Sequence, residues 1–414
     1  MAFRTLEVST VLIRTLCGPG KLAKIVQLQS FPMSTVAERA PLSAVRPKRV
    51  PELDGLRAFA ILPVLLHHCY PFTGTWAWMG FFGEAGWMGV DLFFVLSGYL
   101  ITGILVDAVG QSHYYQNFIV RRSLRIFPLY YVCLILFTLA AWKDGSHWID
   151  TKQWGIGWFV FYLGNIRASW LNQFPPVFSF VPLWSLQVEE QFYLLYPFIV
   201  LCLPRNSLRR FLIGCAVTAP VIRICLFLFA PGSSLARNTL MFCRMDGLAL
   251  GGLVALLVRS PGRRWLPARL LRNGALAMGA FALTIYTWVW LSNPDTATHP
   301  LMSTIGFSIN AVTFAVLLAL IVTAPPPRFA ALLRNPFLVY TGQIAYGLYL
   351  LHSPASWIAR KLIMLLFGVE VPGHSVISVP VTFVASYVVA GLSWRYFESP
   401  ILTLKDRLTY SSHA

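Results

Sequence analysis

The chain has 414 residues, 57% of them hydrophobic and only 12% charged, and its mean hydropathy is +0.63. A water-soluble protein has no use for so much apolar surface, so the composition places the chain in a lipid bilayer. The net charge of +17 would suit nucleic acid if it formed one basic face. Lys and Arg instead fall in short clusters between apolar runs, the pattern of cytoplasmic loops, so no nucleic-acid partner is expected. The seven Cys are scattered, without CxxC or Cys/His spacing, which points to neither a metal site nor a disulfide framework.

Residues 1–49 mix Arg, Lys, Pro, Ser and Gly with short apolar pieces. The best of these, Val8 to Cys17, is broken by Arg14 and followed by Gly18-Pro19-Gly20. It is too short to span and lacks a signal-peptide layout, so this segment reads as a flexible or surface-lying cytoplasmic arm; Met33 is an alternative start. From residue 50 the pattern predicts an all-α, polytopic membrane bundle of about ten spans. They fall at roughly 56–73, 86–106, 124–142, 182–203, 211–230, 241–258, 274–292, 303–323, 338–353 and 375–396. With the N-terminus inside, Arg121, Arg122, Arg125, Arg205, Arg209, Arg210, Arg259, Arg263, Arg264, Arg269, Arg272, Arg328 and Arg334 all become cytoplasmic. Both termini are then cytoplasmic, residues 50–402 form the membrane domain, and 403–414 a short tail. Trp154 to Ile166 is short and rich in Trp, Phe and Gly. Counting it as a span would reverse the Arg clusters that follow, so it is expected to be re-entrant or interfacial and buried in protein. Trp357 to Phe367 carries Arg360 and Lys361 and reads as an interfacial amphipathic helix. No internal repeat is evident.

Polar residues inside the spans carry the functional signal. In LDGLRAFAILPVLLHHCY, Arg57 and His68 have ten residues between them. Eleven helical steps make almost three turns, so both leave one face, roughly 16 Å apart along the axis. An Arg at the centre of a membrane helix costs about 2.5–3.5 kcal/mol, and such residues mostly face a protein interior or a water-filled path. Asp54 lies one turn before Arg57 and is placed to pair with it. His67 is turned about 100° from His68. A His in such a position can act as general base. The competing reading is a snorkelling Arg and a structural His.

In GVDLFFVLSGYLIT, Asp91, Val95, Gly98 and Thr102 share a face, where Gly admits another backbone or a ligand and Asp91 needs a partner. Arg122 and Arg125 in RRSLRIFPLYY lie one turn apart, a spacing that suits phosphates as well as ordinary anchoring. In PLWSLQVEEQFYLLYP, Ser185, Glu189, Phe192 and Tyr196 share a face while Glu190 points elsewhere, so Glu189 is the expected inward carboxylate. In FCRMDGLALGGLV, Gly247-x-x-x-Gly251 is a packing signal, and Arg244 with Asp246 is expected to anchor a polar network. His352 and Glu398 read equally as structural or functional.

Taken in order, LDGLRAFAILPVLLHH, GVDLFFVLSGYLITGIL, RRSLRIFPLYY, PLWSLQVEEQFYLLYP, RMDGLALGGL, TGQIAYGLYLLHSP and WRYFESPI resemble acyltransferase family 3, integral-membrane enzymes that O-acetylate bacterial surface polysaccharides. The resemblance covers about residues 50–402. It implies an acyl-coenzyme A donor, usually acetyl-CoA, no resident cofactor or metal, a sugar, polysaccharide or lipid-linked sugar acceptor, and a bacterial inner membrane. The family's Arg-x10-His maps onto Arg57 and His68, its FFxxSG onto Phe93 to Gly98, its RxxR onto Arg122 to Arg125, and the acid of its SLxxE onto Glu189. The implied catalytic residues are His68, Arg57 and Glu189, with Arg122 and Arg125 for the donor. Asp54, Asp91, Ser97, Ser185, Tyr193, Arg244 and Asp246 form the expected supporting network. Glu189 or Asp91 is expected to orient His68 or bind the acceptor. Some relatives carry a fused hydrolase-like domain, which is expected to be absent here. The alternatives are a transporter using the intramembrane charges, against which the missing repeat counts, and a non-catalytic scaffold.

Overall fold

The computed structural model describes residues 50–70, 79–111, 113–143, 154–260, 267–293 and 295–407. The expected arm at 1–49, the last residues of the expected tail (408–414), and Arg263 and Arg264 lie outside the described residues. Every regular element among the described residues is helical. The chain opens with α1 (Pro51–His67), α2 (Met79–Ala85), α3 (Met88–Ala108) and α4 (Tyr114–Lys143). Two short helices, α5 (Gly157–Val160) and α6 (Gly164–Leu171), precede α7 (Leu183–Cys202), α8 (Arg205–Phe229), α9 (Ser234–Thr239) and α10 (Met241–Val258). Then come α11 (Ala268–Ser292), α12 (Phe307–Thr323), α13 (Pro327–Leu333), α14 (Pro336–Gln343), α15 (Ala345–Phe367), α16 (Ser378–Ser393) and α17 (Ser399–Arg407).

Six segments are long and apolar enough to cross a bilayer: Met79–Ala108, Tyr114–Ala140, Arg205–Phe229, Ser234–Val258, Ala268–Ser292 and Met302–Thr323. They match six of the ten expected spans, and the chain is a multi-pass helical membrane protein. The outer faces of α8 and α11 expose Leu228, Phe229, Leu276, Leu283 and Trp288, a surface that lipid covers. Of the other four expected spans, α1 and α16 have 17 and 16 residues. α7 and α15 are longer but carry Gln187, Glu189, Glu190 and Gln191, or His352, Arg360 and Lys361.

The ninth expected span differs in outline. Residues 338–353 are divided between α14, capped by the Asn335 side chain accepting from the Phe337 amide, and α15. Gly342 brings α14 directly against the backbone of Asp54 on α1, where any Cβ would collide. The separate interfacial helix expected at 357–367 does not exist. α15 runs unbroken through Pro354 and stops at Gly368, whose φ of 66° is the left-handed conformation that ends helices. Proline inside a membrane helix is tolerated where neighbours re-satisfy the freed carbonyl, so it did not mark a boundary here.

The segment 154–166 forms α5 and the start of α6, neither long enough to cross. Its irregular backbone is satisfied by side chains of the bundle: Tyr130 donates to the Phe159 carbonyl at 2.7 Å, Tyr131 to that of Val160 at 3.0 Å, and Gln191 to that of Tyr162 at 2.8 Å.

The centre of the bundle is the pair α3 and α10, packed along most of their length. Gly98 on α3 lies against the Leu248 carbonyl and Gly251 on α10 against that of Val95; a Cβ at either position would displace backbone. Thr102 meets the Tyr196 hydroxyl at 2.9 Å. The Asp91, Val95, Gly98 and Thr102 face is therefore a packing face.

Candidate active site

α1 places Arg57 and His68 as their spacing requires. The helix formally ends at His67, but the His68 amide still bonds to the Val64 carbonyl at 3.3 Å, so helical phase is kept through it. The two side chains open into different cavities. Arg57 lines one of about 120 Å³ together with Arg122, Arg125, Ser97, Ser185, Glu189 and Tyr193. His68 lines a second, of about 300 Å³, with His67, Trp87, Trp184, Asn238, Arg244 and Asp295. Val90 and Tyr349 line both, so the two chambers are neighbours on either side of these side chains.

The Arg57 chamber is rich in unmatched positive charge. Arg57 pairs with Asp54 as expected, at 3.0 Å. The Arg122 guanidinium lies over the Tyr193 ring, 4.6 Å from its centroid. Among the described residues neither Arg122 nor Arg125 forms an ion pair or donates a hydrogen bond. Three guanidiniums against the single carboxylate of Glu189 leave an excess of positive charge in this chamber, and their planar forks suit phosphate. The Glu189 carboxylate accepts from Tyr193 at 2.9 Å, and the Tyr193 hydroxyl also meets Ser97. Ser185 shares a 2.5 Å hydrogen bond with the Tyr349 hydroxyl, which also lies 2.7 Å from the Pro182 carbonyl. Ser97, Ser185, Glu189 and Tyr193 are thus one polar wall facing three arginines. Glu190 does not line this chamber.

The second chamber has a different character. Trp87, Trp184, Phe174 and Phe307 supply flat apolar walls, and His67, His68, Arg244, Asn238, Asp295 and Thr298 supply polar groups. This mixture suits a sugar, which presents apolar ring faces and a rim of hydroxyls. His67 faces this chamber as well as His68, contrary to the reading that only one of them points to the site. Its Nδ1 lies 3.1 Å from the Gly83 carbonyl, which fixes the ring.

Two expectations need correction. Glu189 does not line the chamber of His68: it belongs to the arginine chamber, and the His68 ring lies against those of His352 and His67. Asp91 does not orient His68 either. It pairs with Arg244 and accepts from Asn310 at 3.1 Å, holding Arg244 against the Phe307 ring, 3.8 Å from its centroid. Arg244 and Asp246 do anchor polar contacts as expected, through different partners. Two residues apart on a helix they diverge by about 200°, and Asp246 takes Arg223 at 2.9 Å and Ser308 at 2.6 Å. Arg223 was missed in the sequence. It is fully buried, and its Nε also donates to the Thr304 carbonyl at 2.7 Å. An Arg within an apolar run was the available signal; its complete pairing marks it as structural.

Fold and site together define a helical membrane protein with a cationic chamber beside one lined by aromatic and polar side chains. Residues 50–392 match the acyltransferase domain family, and the chain belongs to that family. It is 30% identical over 379 residues to YrhL of Bacillus subtilis (strain 168), covering 86% of this chain and 55% of that protein. It is 26% identical over 378 residues to the peptidoglycan O-acetyltransferase OatA of Listeria monocytogenes, covering 86% and 56%. The O-acetyltransferase OatA of Staphylococcus aureus is 28% identical over 385 residues, covering 86% and 57%. The chain thus spans about half the length of the curated relatives it matches. No solved structure matches it.

Proposed function

We propose that the protein is a membrane O-acyltransferase that moves an acyl group, acetyl foremost, from acyl-coenzyme A to a hydroxyl of peptidoglycan or a related envelope polysaccharide or its lipid-linked precursor. The observation that carries this reading is that the two chambers are neighbours, with Val90 and Tyr349 lining both. Arg57, Arg122 and Arg125 hold the donor's phosphates in the first chamber. The pantetheine arm passes Val90 and Tyr349, which brings the thioester toward His68. The acceptor ring lies between Trp87 and Trp184 in the second chamber. His68 takes the proton from the acceptor hydroxyl as its oxygen attacks the thioester carbonyl. The wall of Ser97, Ser185, Glu189 and Tyr193 orients the donor. The names of the Listeria and Staphylococcus relatives support acetyl transfer and, for the first, peptidoglycan as acceptor; they favour this reading over a transporter.

In the same reading α1, α7, α15 and α16 complete a ten-span bundle with both termini cytoplasmic, in a bacterial inner membrane. The Lys and Arg distribution supports that orientation. It turns Arg57 toward the cytoplasm, where acyl-coenzyme A is made, and His68 toward the envelope.

The test is transfer itself. Detergent-purified protein is incubated with acetyl-CoA labelled in the acetyl group and with soluble peptidoglycan fragments. The expected product is a base-labile acetyl ester on the glycan. Donor binding with no ester on any glycan fraction would count against the acceptor class, and no donor binding against the reading as a whole.

A further inference from the structure

His352 stands directly against the proposed base. It lies on α15, 1% exposed, and its ring centroid is 4.7 Å from that of His68 with the planes 32° apart. Its Nδ1 is 2.8 Å from the Tyr349 carbonyl oxygen. A carbonyl only accepts, so Nδ1 carries the hydrogen and Nε2 carries the lone pair. That Nε2 is buried and has no hydrogen-bond partner. Buried acceptors are nearly always paired, and an orphan needs a reason. The residue that fixes its tautomer, Tyr349, is one of the two, with Val90, that wall both chambers.

We propose that His352 is a positioning residue for acyl transfer, its Nε2 accepting a charge-assisted hydrogen bond from His68 once His68 has taken the proton of the acceptor hydroxyl. The inference rests on the reading of His68 as the base. The proton leaves the hydroxyl for one ring nitrogen of His68 while the new C–O bond forms. The other ring N–H of His68, present throughout, becomes a charge-assisted donor to Nε2 of His352. When the tetrahedral intermediate collapses, the C–S bond breaks with its electron pair on sulfur, and His68 returns the proton to the thiolate. Nothing else is consumed. The neutral ring of His68 already has that N–H but is the weaker donor; the cationic ring holds the unpaired acceptor more strongly, so the pair favours the step in which charge appears.

The test compares His352→Phe, which keeps a ring but no lone pair, with His352→Gln, whose amide oxygen restores an acceptor. Both are measured as purified full-length protein with labelled acetyl-CoA and peptidoglycan fragments. His352→Phe is expected to lower kcat about a hundredfold, the scale of lost proton-transfer assistance, with the KM for acetyl-CoA unchanged. His352→Gln is expected to recover most of that loss. Combined with His68→Ala, His352→Phe should cost nothing further, because the two act as one unit. Wild-type kcat in His352→Phe, or equal losses in the Phe and Gln proteins with KM rising alongside, would overturn the proposal. If His352→Phe does not give monodisperse protein, His352→Leu reads the same loss. Undiminished transfer by His68→Ala would instead bring down the base assignment itself, an outcome distinct from failure of His352 alone.

Discussion

The Tyr193 hydroxyl donates to the Glu189 carboxylate across 2.9 Å, one turn away on α7, and the same hydroxyl meets Ser97 on α3. This contact fixes which of two adjacent glutamates faces the arginine chamber. Glu189→Gln weakens a charge-assisted hydrogen bond and removes the only carboxylate lining that chamber among the described residues. Transfer should fall about ten- to hundredfold, on the scale of about 1.5–3 kcal/mol for such bonds. The Glu190 Oε1 has no hydrogen-bond partner to lose, so Glu190→Gln should stay within a fewfold of wild type. Equal losses in the two variants, by labelled-acetyl transfer, would contradict the geometry.

Arg122 and Arg125 face the chamber without ion-pair partners, so their loss should register in donor affinity. Arg125→Ala should raise the dissociation constant for acetyl-CoA roughly ten- to hundredfold. Arg122→Lys keeps the charge but loses the planar fork, and should also weaken binding. Calorimetric titration of detergent-purified protein gives these constants. Unchanged affinity in both would confine the pair to membrane anchoring.

His67 and His68 both border the second chamber, but they are held differently. The His67 ring is tied to the Gly83 carbonyl and lies 3.8 Å from the Glu84 carboxylate. His67→Ala should lower transfer modestly, by no more than about tenfold, the scale of one lost hydrogen bond. His68→Ala should remove transfer while leaving acetyl-CoA binding within about twofold of wild type, because the proposed phosphate site lies in the other chamber. Loss of donor binding in His68→Ala would argue that the chambers are not divided in this way.

Reporter fusions test the orientation. Fusions after Arg210 and Arg272 should read cytoplasmic, and fusions at Ser234 and Asn293 should read extracytoplasmic. A cytoplasmic reading at Ser234 would mean that the stretch containing α5 and α6 crosses the membrane.

Much of this was legible in the sequence, because helical period alone fixes which residues share a face. Arg57 with Asp54, the common face of Arg57 and His68, the choice of Glu189 and the close packing at Gly98 and Gly251 all follow from spacing. What was not legible depends on contacts between helices distant in the chain. Nothing local couples Asp91 to Arg244, or Asp246 to Arg223, across 153 and 23 positions. The partition of Arg57 and His68 into two chambers likewise depends on where Val90 and Tyr349 arrive from α3 and α15. The unbroken α15 was missed because Pro354, Arg360 and Lys361 look like a boundary, whereas neighbouring helices and the interface accommodate all three.

The central claim is that donor and acceptor occupy chambers on opposite sides of one membrane domain, and sidedness measures it directly. Purified protein is reconstituted into sealed vesicles of determined orientation, with labelled acetyl-CoA on one side and peptidoglycan fragments on the other. The account predicts labelled glycan ester only when acetyl-CoA reaches the face of Arg122 and Arg125 and the glycan reaches the face of His68, with no ester from His68→Ala vesicles. Ester formed only when both substrates share one side, or equally in either arrangement, would contradict it.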